Sequence, residues 1–152
     1  MYSFDIQNEA IEATSRLLVA NDIPHKVVGH TINGDSSGVI LICDSHEKIK
    51  EYVKDAPRVI VFNLGFLPGG DKTLTTKKES SLTAIKAALE VLAVDGVLSI
   101  TMYPGHEEGR YEQDLILEWA QNLSSKEYHA VFANMLNQSN RAPQVLWITK
   151  KK

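Results

Sequence analysis

The sequence has little cysteine, few aromatic residues and no long apolar segment. Of its 152 residues one is cysteine, Cys43, and 7% are aromatic. A single cysteine excludes an internal disulfide and a zinc site built from several cysteines, which suits a reducing cytoplasm. No apolar run approaches the ~20 residues that cross a bilayer, so no membrane partner is expected. The first residues lack the basic-then-apolar pattern of a signal peptide.

The charge balance limits the kinds of partner. Lys plus Arg number 16 and Asp plus Glu 19, so the net charge is −3. The chain is therefore not a polybasic protein that holds nucleic acid by bulk charge, although a local basic patch is compatible with this balance. The five histidines are scattered, and none pairs with a carboxylate at metal-ligand spacing. No metal site is predicted.

Hydrophobic periodicity predicts strands that alternate with helices. Strands are expected at 2–6, 39–43, 59–62, 97–102, 128–136 and 145–149, and helices around 10–18, 49–53, 82–92 and 115–123. The strand at 39–43 is expected to be covered on both faces, and the strand at 59–62 to be buried. The first helix is expected to place its apolar residues on one face; these are Ala10, Ile11, Leu17 and Leu18, with Thr14. The segment 26–43 reads as a hairpin or as a long loop before a strand. Two strands in succession at the end suggest an antiparallel strand. We therefore predict one α/β domain over residues 1–152 with a mostly parallel sheet.

Polar residues follow each predicted strand, and ligands of open α/β sheets bind beyond the carboxyl ends of the strands. These residues are Asp5, Asp44-Ser45-His46, Asn63 to Phe66, Tyr103 to His106, and Asn137-Gln138. We expect all of them to converge on one edge of the sheet.

The acidic groups allow two interpretations each. Asp5 can accept two hydrogen bonds from a ribose diol, or it can cap the helix that begins near Gln7. Asp44 can accept from an adenine amino group, while Ser45 can cap the next helix. His46 is more typical of a histidine at the surface or in the first turn of a helix than of a catalytic residue.

The segment NLGFLPGGDK, residues 63–72, is the most informative. The side-chain carbonyl of Asn63 and the backbone carbonyl of Leu64 can accept hydrogen bonds from an amine, and Phe66 can stack on a planar base. Together they could hold an amino nitrogen with its lone pair aimed at an electrophilic methyl group. The alternative is a Gly/Pro turn with a buried phenylalanine.

The order of motifs resembles one known family. FDIQNEAIEAT, CDSHEKI, VFNLGFLPGGDK, ALEVLAVDGVLSITMYPGHEEG and FANMLNQSNRAP are similar to segments of class I S-adenosylmethionine-dependent methyltransferases of the rRNA methylase family. Members are linked to methylation of 5-aminomethyl-2-thiouridine at the tRNA wobble position. The resemblance implies a Rossmann-like fold, S-adenosyl-L-methionine as cofactor, and an RNA amine as substrate, with tRNA favoured over rRNA.

The resemblance also implies roles for individual residues. Asp5, with Ile6 beside it, matches the residue that holds the cofactor ribose, and Asp44, Ser45 and His46 match the adenine-side motif. Asn63, Leu64 and Phe66 occupy the place of the catalytic Asn/Asp-Pro-Pro-aromatic motif, with Leu-Gly in place of Pro-Pro. Asn63 is also expected among the residues that bind the cofactor. The residues expected on the substrate side are Lys72, Tyr103, His106, Asn137 and Gln138.

One departure from the family bears on activity. Family members carry about thirty more residues, the size of one strand–loop–helix unit, before the position of Met1. That part holds a central first strand and the Gly-rich loop around the methionine half of the cofactor. We therefore expect a domain incomplete at its N-terminus, with residues 26–38 as an insertion. The alternative is that the chain is a non-catalytic remnant that does not bind the cofactor. The oligomeric state is left open, with a homodimer as one option.

Overall fold

The structure is a computed structural model that describes residues 1–28, 38–64 and 78–152, with side chains from residue 81 onward in the last range. These residues group into two compact units, Met1–Lys54 and Asp55–Lys152. Strands and helices alternate along most of the chain, and the last two strands follow each other directly. The predicted α/β class is confirmed, whereas a single domain over residues 1–152 stays a prediction.

The first unit contains a parallel sheet of three strands in the order β1-β3-β2. The strands are β1 (Tyr2–Asp5), β2 (His25–Val28) and β3 (Val39–Cys43). Because β2 and β3 are parallel neighbours, the hairpin interpretation of 26–43 is wrong: a hairpin joins antiparallel strands. The start of the expected insertion, at 26–28, thus adds a strand beside β3, and residues 29–37 lie outside the described residues.

The central strand β3 is covered on both faces, as its continuous apolar sequence predicts. Val39 and Leu41 pack against Ile11 of helix α1 (Asn8–Ala20). Ile40 and Ile42 form a second cluster on the opposite face, which includes Tyr52. Tyr52 ends α2 (Ile49–Tyr52), which follows a 3-10 turn at His46–Lys48. The sheet therefore has apolar packing on each side.

The predicted apolar face of α1 is only partly correct. Ile11 is 2% exposed, whereas Leu17, expected on the same face, is 65% exposed. The physical reason is angular: six residues along a helix place Leu17 roughly 120° around the axis from Ile11, while Leu18 returns close to it. Leu18 accordingly packs against the buried cluster.

The second unit contains four strands in the order β4-β5-β7-β6. The strands are β4 (Val59–Asn63), β5 (Val97–Met102), β6 (Tyr128–Ala133) and β7 (Gln144–Lys150). β4 and β5 are parallel, and β7 is antiparallel to both β5 and β6. The predicted antiparallel C-terminal strand is confirmed. It follows that β4, β5 and β6 run in one direction and end at the same edge of this sheet.

Helices α3 (Lys78–Val91) and α4 (Glu107–Gln121) belong to the second unit. Side chains buried in this unit lie on both helices and on β5 and β7; they include Ile85, Leu89, Leu98, Ile100, Ile116, Leu146 and Ile148. The helices are also joined by a polar contact, in which the buried Ser81 hydroxyl donates to Glu112 Oε1 at 2.6 Å. The second unit therefore has its own apolar core.

Strand β4 is less buried than its apolar sequence predicts. Val59 and Val61 are 65% and 67% exposed, whereas Phe62 is buried. β4 lies at the edge of its sheet, and successive side chains of a strand point to opposite faces. The prediction that 59–62 forms a buried strand is therefore wrong for Val59 and Val61.

Among the described helices, the longest has 15 residues, and none combines the length and apolar character needed to cross a membrane. Across the same residues, no group of three or more His, Cys, Asp or Glu side chains is placed to hold a metal ion. Cys43 is a free thiol, partly buried at the end of β3.

Candidate functional site

The first group of predicted residues lies where β1 and β3 end. Asp5 is the last residue of β1 and pairs with Cys43, the last residue of β3. Asp44 follows Cys43 directly, so the parallel register places Asp5 and Asp44 at neighbouring strand ends. Ile6, directly after Asp5, is 47% exposed. The predicted residues of this unit are thus brought together at one edge of the sheet.

Asp5 is not the cap of α1, which is Gln7, but its carboxylate binds the backbone just ahead of that helix. Its Oδ1 accepts a hydrogen bond from the Gln7 backbone N–H at 2.8 Å, and α1 begins at the next residue, Asn8. Within the described ranges, no donor contacts Oδ2 of Asp5. The carboxylate is therefore oriented by the chain through one oxygen and retains acceptor capacity on the other.

The Asp44 carboxylate is held by three donors from its own unit. Lys48 Nζ lies 2.9 Å from Oδ1 and 3.1 Å from Oδ2, the Tyr52 hydroxyl donates to Oδ2 at 2.7 Å, and the Ser45 N–H donates to Oδ1 at 2.8 Å. The side chain of Asp44 is 12% exposed. These contacts fix the carboxylate and the loop that follows, so Asp44 positions this loop.

The electrostatics of Asp44 agree with this geometry. Burial alone would raise the pKa of Asp44, but the hydrogen bonds from Lys48, Tyr52 and the Ser45 backbone, with the Lys48 charge, outweigh it. The net effect holds the pKa of Asp44 below its ordinary value, because donors stabilise the charged form. The group is thus a carboxylate throughout the neutral range.

Ser45 and His46 open the 3-10 turn. The Ser45 hydroxyl accepts from the Glu47 N–H at 3.3 Å, which confirms the predicted cap. Burial lowers the pKa of His46, and the carboxylates of Glu47 and Asp5 oppose this shift by less. His46 is therefore neutral at pH 7, since its ordinary value is already ~6.5.

The second group lies where β4 and β5 end. Asn63 closes β4 opposite Thr101 of β5. The N–H of Leu64 donates to the Thr101 carbonyl at 3.0 Å, which continues the strand pairing by one residue, and the Leu64 side chain is 7% exposed. The backbone beside Asn63 is therefore fixed both by a hydrogen bond and by packing.

The side chain of Asn63 is oriented by Tyr103. The Tyr103 hydroxyl donates to Asn63 Oδ1 at 2.8 Å across 40 residues of sequence. An amide oxygen has two lone pairs, so Oδ1 can accept a second hydrogen bond while it accepts from Tyr103. Asn63 is exposed, and this second acceptor position can be reached by a ligand.

His106 begins α4 and acts as its N-terminal cap. Its Nδ1 accepts from the Gly109 N–H at 3.0 Å, so a neutral ring carries its proton on Nε2. In this tautomer Nε2 carries a hydrogen and acts as a donor, so it cannot accept a proton. This geometry favours a phosphate contact for His106 over a role as proton acceptor.

Gly109 is a site residue that sequence reasoning missed. A Cβ there would lie 2.2 Å from the Tyr103 carbonyl oxygen and 3.0 Å from His106 Cε1. The start of α4 therefore presses against the backbone of Tyr103, and only glycine fits. Tyr52, which holds Asp44, was also missed as a site residue, because its helical position indicates only a core residue.

Asn137 and Gln138 lie in an exposed turn after β6, where the Gln138 N–H donates to the Met135 carbonyl at 3.3 Å. The same connection continues to Arg141, whose carbonyl oxygen would lie 3.5 Å from a Cβ on Gly105. The turn after β6 and the loop after β5 are thus neighbours at one sheet edge. Phe66 and Lys72 lie outside the described residues, and convergence of both groups on one edge stays a prediction.

A parallel sheet with polar groups at its strand ends and an antiparallel last strand defines an α/β fold of the class I methyltransferase type. The sequence matches, over residues 1–149, the family described as "Putative rRNA methylase". The chain belongs to this family, which confirms the resemblance seen in its motifs.

Individual relatives agree with this assignment. A tRNA (mnm(5)s(2)U34)-methyltransferase, chloroplastic, from Arabidopsis thaliana is 34% identical over 99% of the chain and 52% of that protein. The chain thus spans about half the length of this curated relative. A methyltransferase structure from Streptococcus mutans in complex with SAH is 33% identical, with a TM-score of 0.81 over 98% of this chain and 74% of that one. An rRNA-methylase structure from Clostridium thermocellum is 28% identical, with a TM-score of 0.84 over the same shares.

The first prediction concerns the donor that Tyr52 gives to Asp44. Tyr52→Phe removes the hydroxyl and keeps the ring that packs edge-on against Phe4 at 5.6 Å, so the pKa of Asp44 should rise toward its ordinary value. The pKa of Asp44 is lower in the folded than in the unfolded chain, where it is ~3.9. The contact therefore stabilises the fold at pH values above the unfolded pKa, and this stabilisation is lost as pH falls through the folded pKa. We expect the free energy of unfolding to be lower than that of the wild type at pH 7, and this difference to close in acid. Carboxyl NMR titration and urea unfolding measure both effects.

Tyr2→Phe is the matched control, since Tyr2 packs on the same cluster and does not donate to Asp44. A Tyr52→Phe variant with an unchanged Asp44 titration would contradict this account.

The second prediction concerns the contact between α4 and Tyr103. Gly109→Ala should lower the free energy of unfolding by about 1–3 kcal/mol, because the backbone of Tyr103 must move away from the new methyl group. Gly105→Ala is the control, since its Cβ meets Arg141 only at an ordinary contact distance of 3.5 Å. Urea unfolding compares the two variants, and equal stability would show that α4 does not press on Tyr103.

Proposed function

We propose that the chain works as an S-adenosylmethionine-dependent methyltransferase on RNA, and on the aminomethyl group of a tRNA wobble uridine in particular. Family membership and the SAH complex of the Streptococcus mutans relative support the cofactor and the reaction class. The printed name of the Arabidopsis relative supports the substrate. The structural observation that carries the proposal is the Tyr103 hydrogen bond to Asn63, which holds an amide oxygen at the end of β4.

The residues at the ends of β1 and β3 fit the nucleoside part of the cofactor. Asp5 has one oxygen bound to the Gln7 N–H and one without a donor among the described residues, as a carboxylate that accepts from ribose hydroxyls requires. Ile6 offers an exposed apolar side chain beside it. The loop Asp44–His46, fixed by Tyr52 and Lys48, lies at the neighbouring strand end and would contact the adenine.

The cofactor supplies a methyl group on a positively charged sulfur. In the transfer, the amine lone pair would form the new carbon–nitrogen bond while the carbon–sulfur bond breaks, and the electron pair of that bond would stay on sulfur. The nitrogen then loses one proton. The chain has to align the amine, and positioning of this kind provides most of the rate enhancement.

Asn63 is the group that we assign to this alignment. With Tyr103 donating to one lone pair of Oδ1, the other accepts an N–H of the substrate and turns the nitrogen lone pair away from the amide. The Leu64 carbonyl offers a second acceptor on the same segment, whose backbone is pinned by Thr101. Phe66 completes the motif by stacking on the base.

The proton released by the amine leaves to water in this proposal. His106 is less suited to take it, because its Nδ1 already accepts from Gly109. His106 instead donates toward RNA phosphate through Nε2. Arg141 and the turn with Asn137 and Gln138 lie beside the loop after β5, and with Lys72 they form the proposed RNA-facing side.

We also assign the reaction to the cytoplasm. The single cysteine leaves the fold independent of disulfides, as a reducing compartment requires. A tRNA substrate rather than rRNA is favoured because unpaired anticodon bases can be splayed out and stacked on aromatic side chains.

Calorimetric titration of the chain with SAH tests cofactor binding. We expect a dissociation constant in the range of about 1–100 µM, and Asp5→Asn should weaken it roughly 10–100-fold, since hydrogen bonds to a charged group are lost. Asp22→Asn is the matched control, because Asp22 is exposed and its positive φ of 53° suits asparagine. Absence of heat at millimolar SAH would favour the non-catalytic alternative.

Methyl transfer to a tRNA that carries 5-aminomethyl-2-thiouridine tests the role of Asn63. Asn63→Ala should lower kcat by ~100-fold or more, and Tyr103→Phe by ~10-fold, because misalignment of the amine slows the chemical step. SAH affinity should change less than about twofold in both variants. Tyr111→Phe on the exposed surface of α4 is the control. An equal loss of kcat and SAH affinity in Asn63→Ala would remove Asn63 from its place beside the amine.

A further inference from the structure

Ser15 of α1 and His25 of β2 form a hydrogen-bonded pair in the first unit. Ser15 Oγ lies 2.7 Å from His25 Nε2, and His25 Nδ1 lies 3.1 Å from the carbonyl oxygen of Ile23. A carbonyl oxygen only accepts hydrogen bonds, so a neutral ring carries its proton on Nδ1 and a lone pair on Nε2. The Ser15 hydroxyl therefore donates its proton to the ring of His25.

The neighbouring hydroxyl on α1 makes a different contact. Thr14 Oγ1 donates to the Ala10 carbonyl, four residues back, at 2.9 Å, as serine and threonine hydroxyls within helices commonly do. Ser15 donates instead to a side chain ten residues further along the chain. A hydroxyl bound to a base, with a third group that orients the base, is the arrangement that activates serine as a nucleophile. Here the Ile23 carbonyl is the orienting group.

The pair is held in place by the packing and pairing of its two elements. Ile11 of α1 packs against β3, and β2 pairs with β3 so that His25 lies opposite Val39. The Val39 N–H also donates to the Pro24 carbonyl at 2.9 Å, which fixes the backbone directly before His25. The side chain of Ser15 is only half-buried. A small reagent can therefore reach a hydroxyl whose geometry is already set.

We propose that Ser15 is an acyl-acceptor site, at which His25 acts as general base and an activated ester with a short apolar acyl chain is the substrate. The Ser15 oxygen attacks the acyl carbonyl carbon while the hydroxyl proton passes to His25 Nε2. The bond from the carbonyl carbon to the leaving oxygen breaks, that oxygen keeps the electron pair, and His25 returns the proton to it or to water. The product is an acyl ester on Ser15. This activity is separate from methyl transfer, because His25 begins β2, at the opposite end of this parallel sheet from Asp5 and Asp44.

The surroundings of Ser15 favour an apolar acyl chain. Val19 lies one helical turn after Ser15 on the same face of α1 and is 65% exposed. Ile23, whose carbonyl orients His25, is 42% exposed. Backbone N–H groups in the middle of a helix are bonded within it, so α1 offers no such donor to an oxyanion. A serine ester also has a poorer leaving group than an activated ester, so the acyl group should accumulate on Ser15 faster than water removes it.

Reaction of the intact chain with p-nitrophenyl acetate and p-nitrophenyl butyrate tests the site. We expect a burst of p-nitrophenolate that approaches a single equivalent per chain, and peptide mass spectrometry should find the acyl group on Ser15. Ser15→Ala should remove the burst, and His25→Gln should slow it by ~100-fold, because the general base is lost. The butyrate should react faster than the acetate, and Val19→Ser should reduce this preference, because the apolar contact is lost.

Thr14→Val is the matched control for Ser15→Ala, since it removes a hydroxyl that is bound to a backbone carbonyl. His129→Gln is the control for His25→Gln, since His129 is an exposed histidine of β6. Both controls should react at the wild-type rate. Alanine is a strong helix former, so Ser15→Ala keeps α1, and circular dichroism checks the fold of each variant. A burst that persists in Ser15→Ala, an acyl group spread over lysine and tyrosine side chains instead of Ser15, or a wild-type rate in His25→Gln overturns the proposal.

Discussion

Parallel pairing between neighbouring strands places Asp5, Asp44 and Asn63 at the ends of their strands. Register between β1 and β3 sets Asp5 opposite Cys43, and register between β4 and β5 sets Asn63 opposite Thr101. A slip of one residue would turn the following side chains to the other face. Because apolar packing fixes the register, the hydrophobic core of each unit determines where its polar strand ends lie. The positions of the polar groups at these sheet edges therefore depend on the packing of the apolar core.

Several polar groups of the site are already engaged within the chain. Asp44 is held by Lys48 and Tyr52, and Asn63 by Tyr103. Such contacts reduce the rotamer freedom that a ligand would otherwise have to restrict, which is the physical meaning of preorganisation. They also explain why residues outside a binding motif matter to it. A hydroxyl that never touches a ligand can determine the direction in which an amide or a carboxylate points.

Local sequence patterns are enough to predict much of this fold. The strand Val97–Met102 has the predicted bounds, and the Ser45 cap follows from its place before a turn. The parallel pairing of β2 with β3 was not predictable, because loop composition does not determine strand direction. The contact between Gly109 and the Tyr103 carbonyl depends on how a helix leaves a loop, and no sequence pattern reports it. Contacts distant in sequence, such as Tyr103 with Asn63, are set by the sheet.

Helix α4 has a distinct partner at each end. Its first turn presses on the carbonyl of Tyr103 through Gly109, and its last turn, near Gln121, lines a groove beside β6. A helix of 15 residues is a stiff rod roughly 22 Å long. A tilt imposed at its last turn would therefore move its first turn, and with it the loop that carries the Tyr103 hydroxyl. The groove beside β6 and the hydrogen bond between Tyr103 and Asn63 are thus connected through one rigid helix.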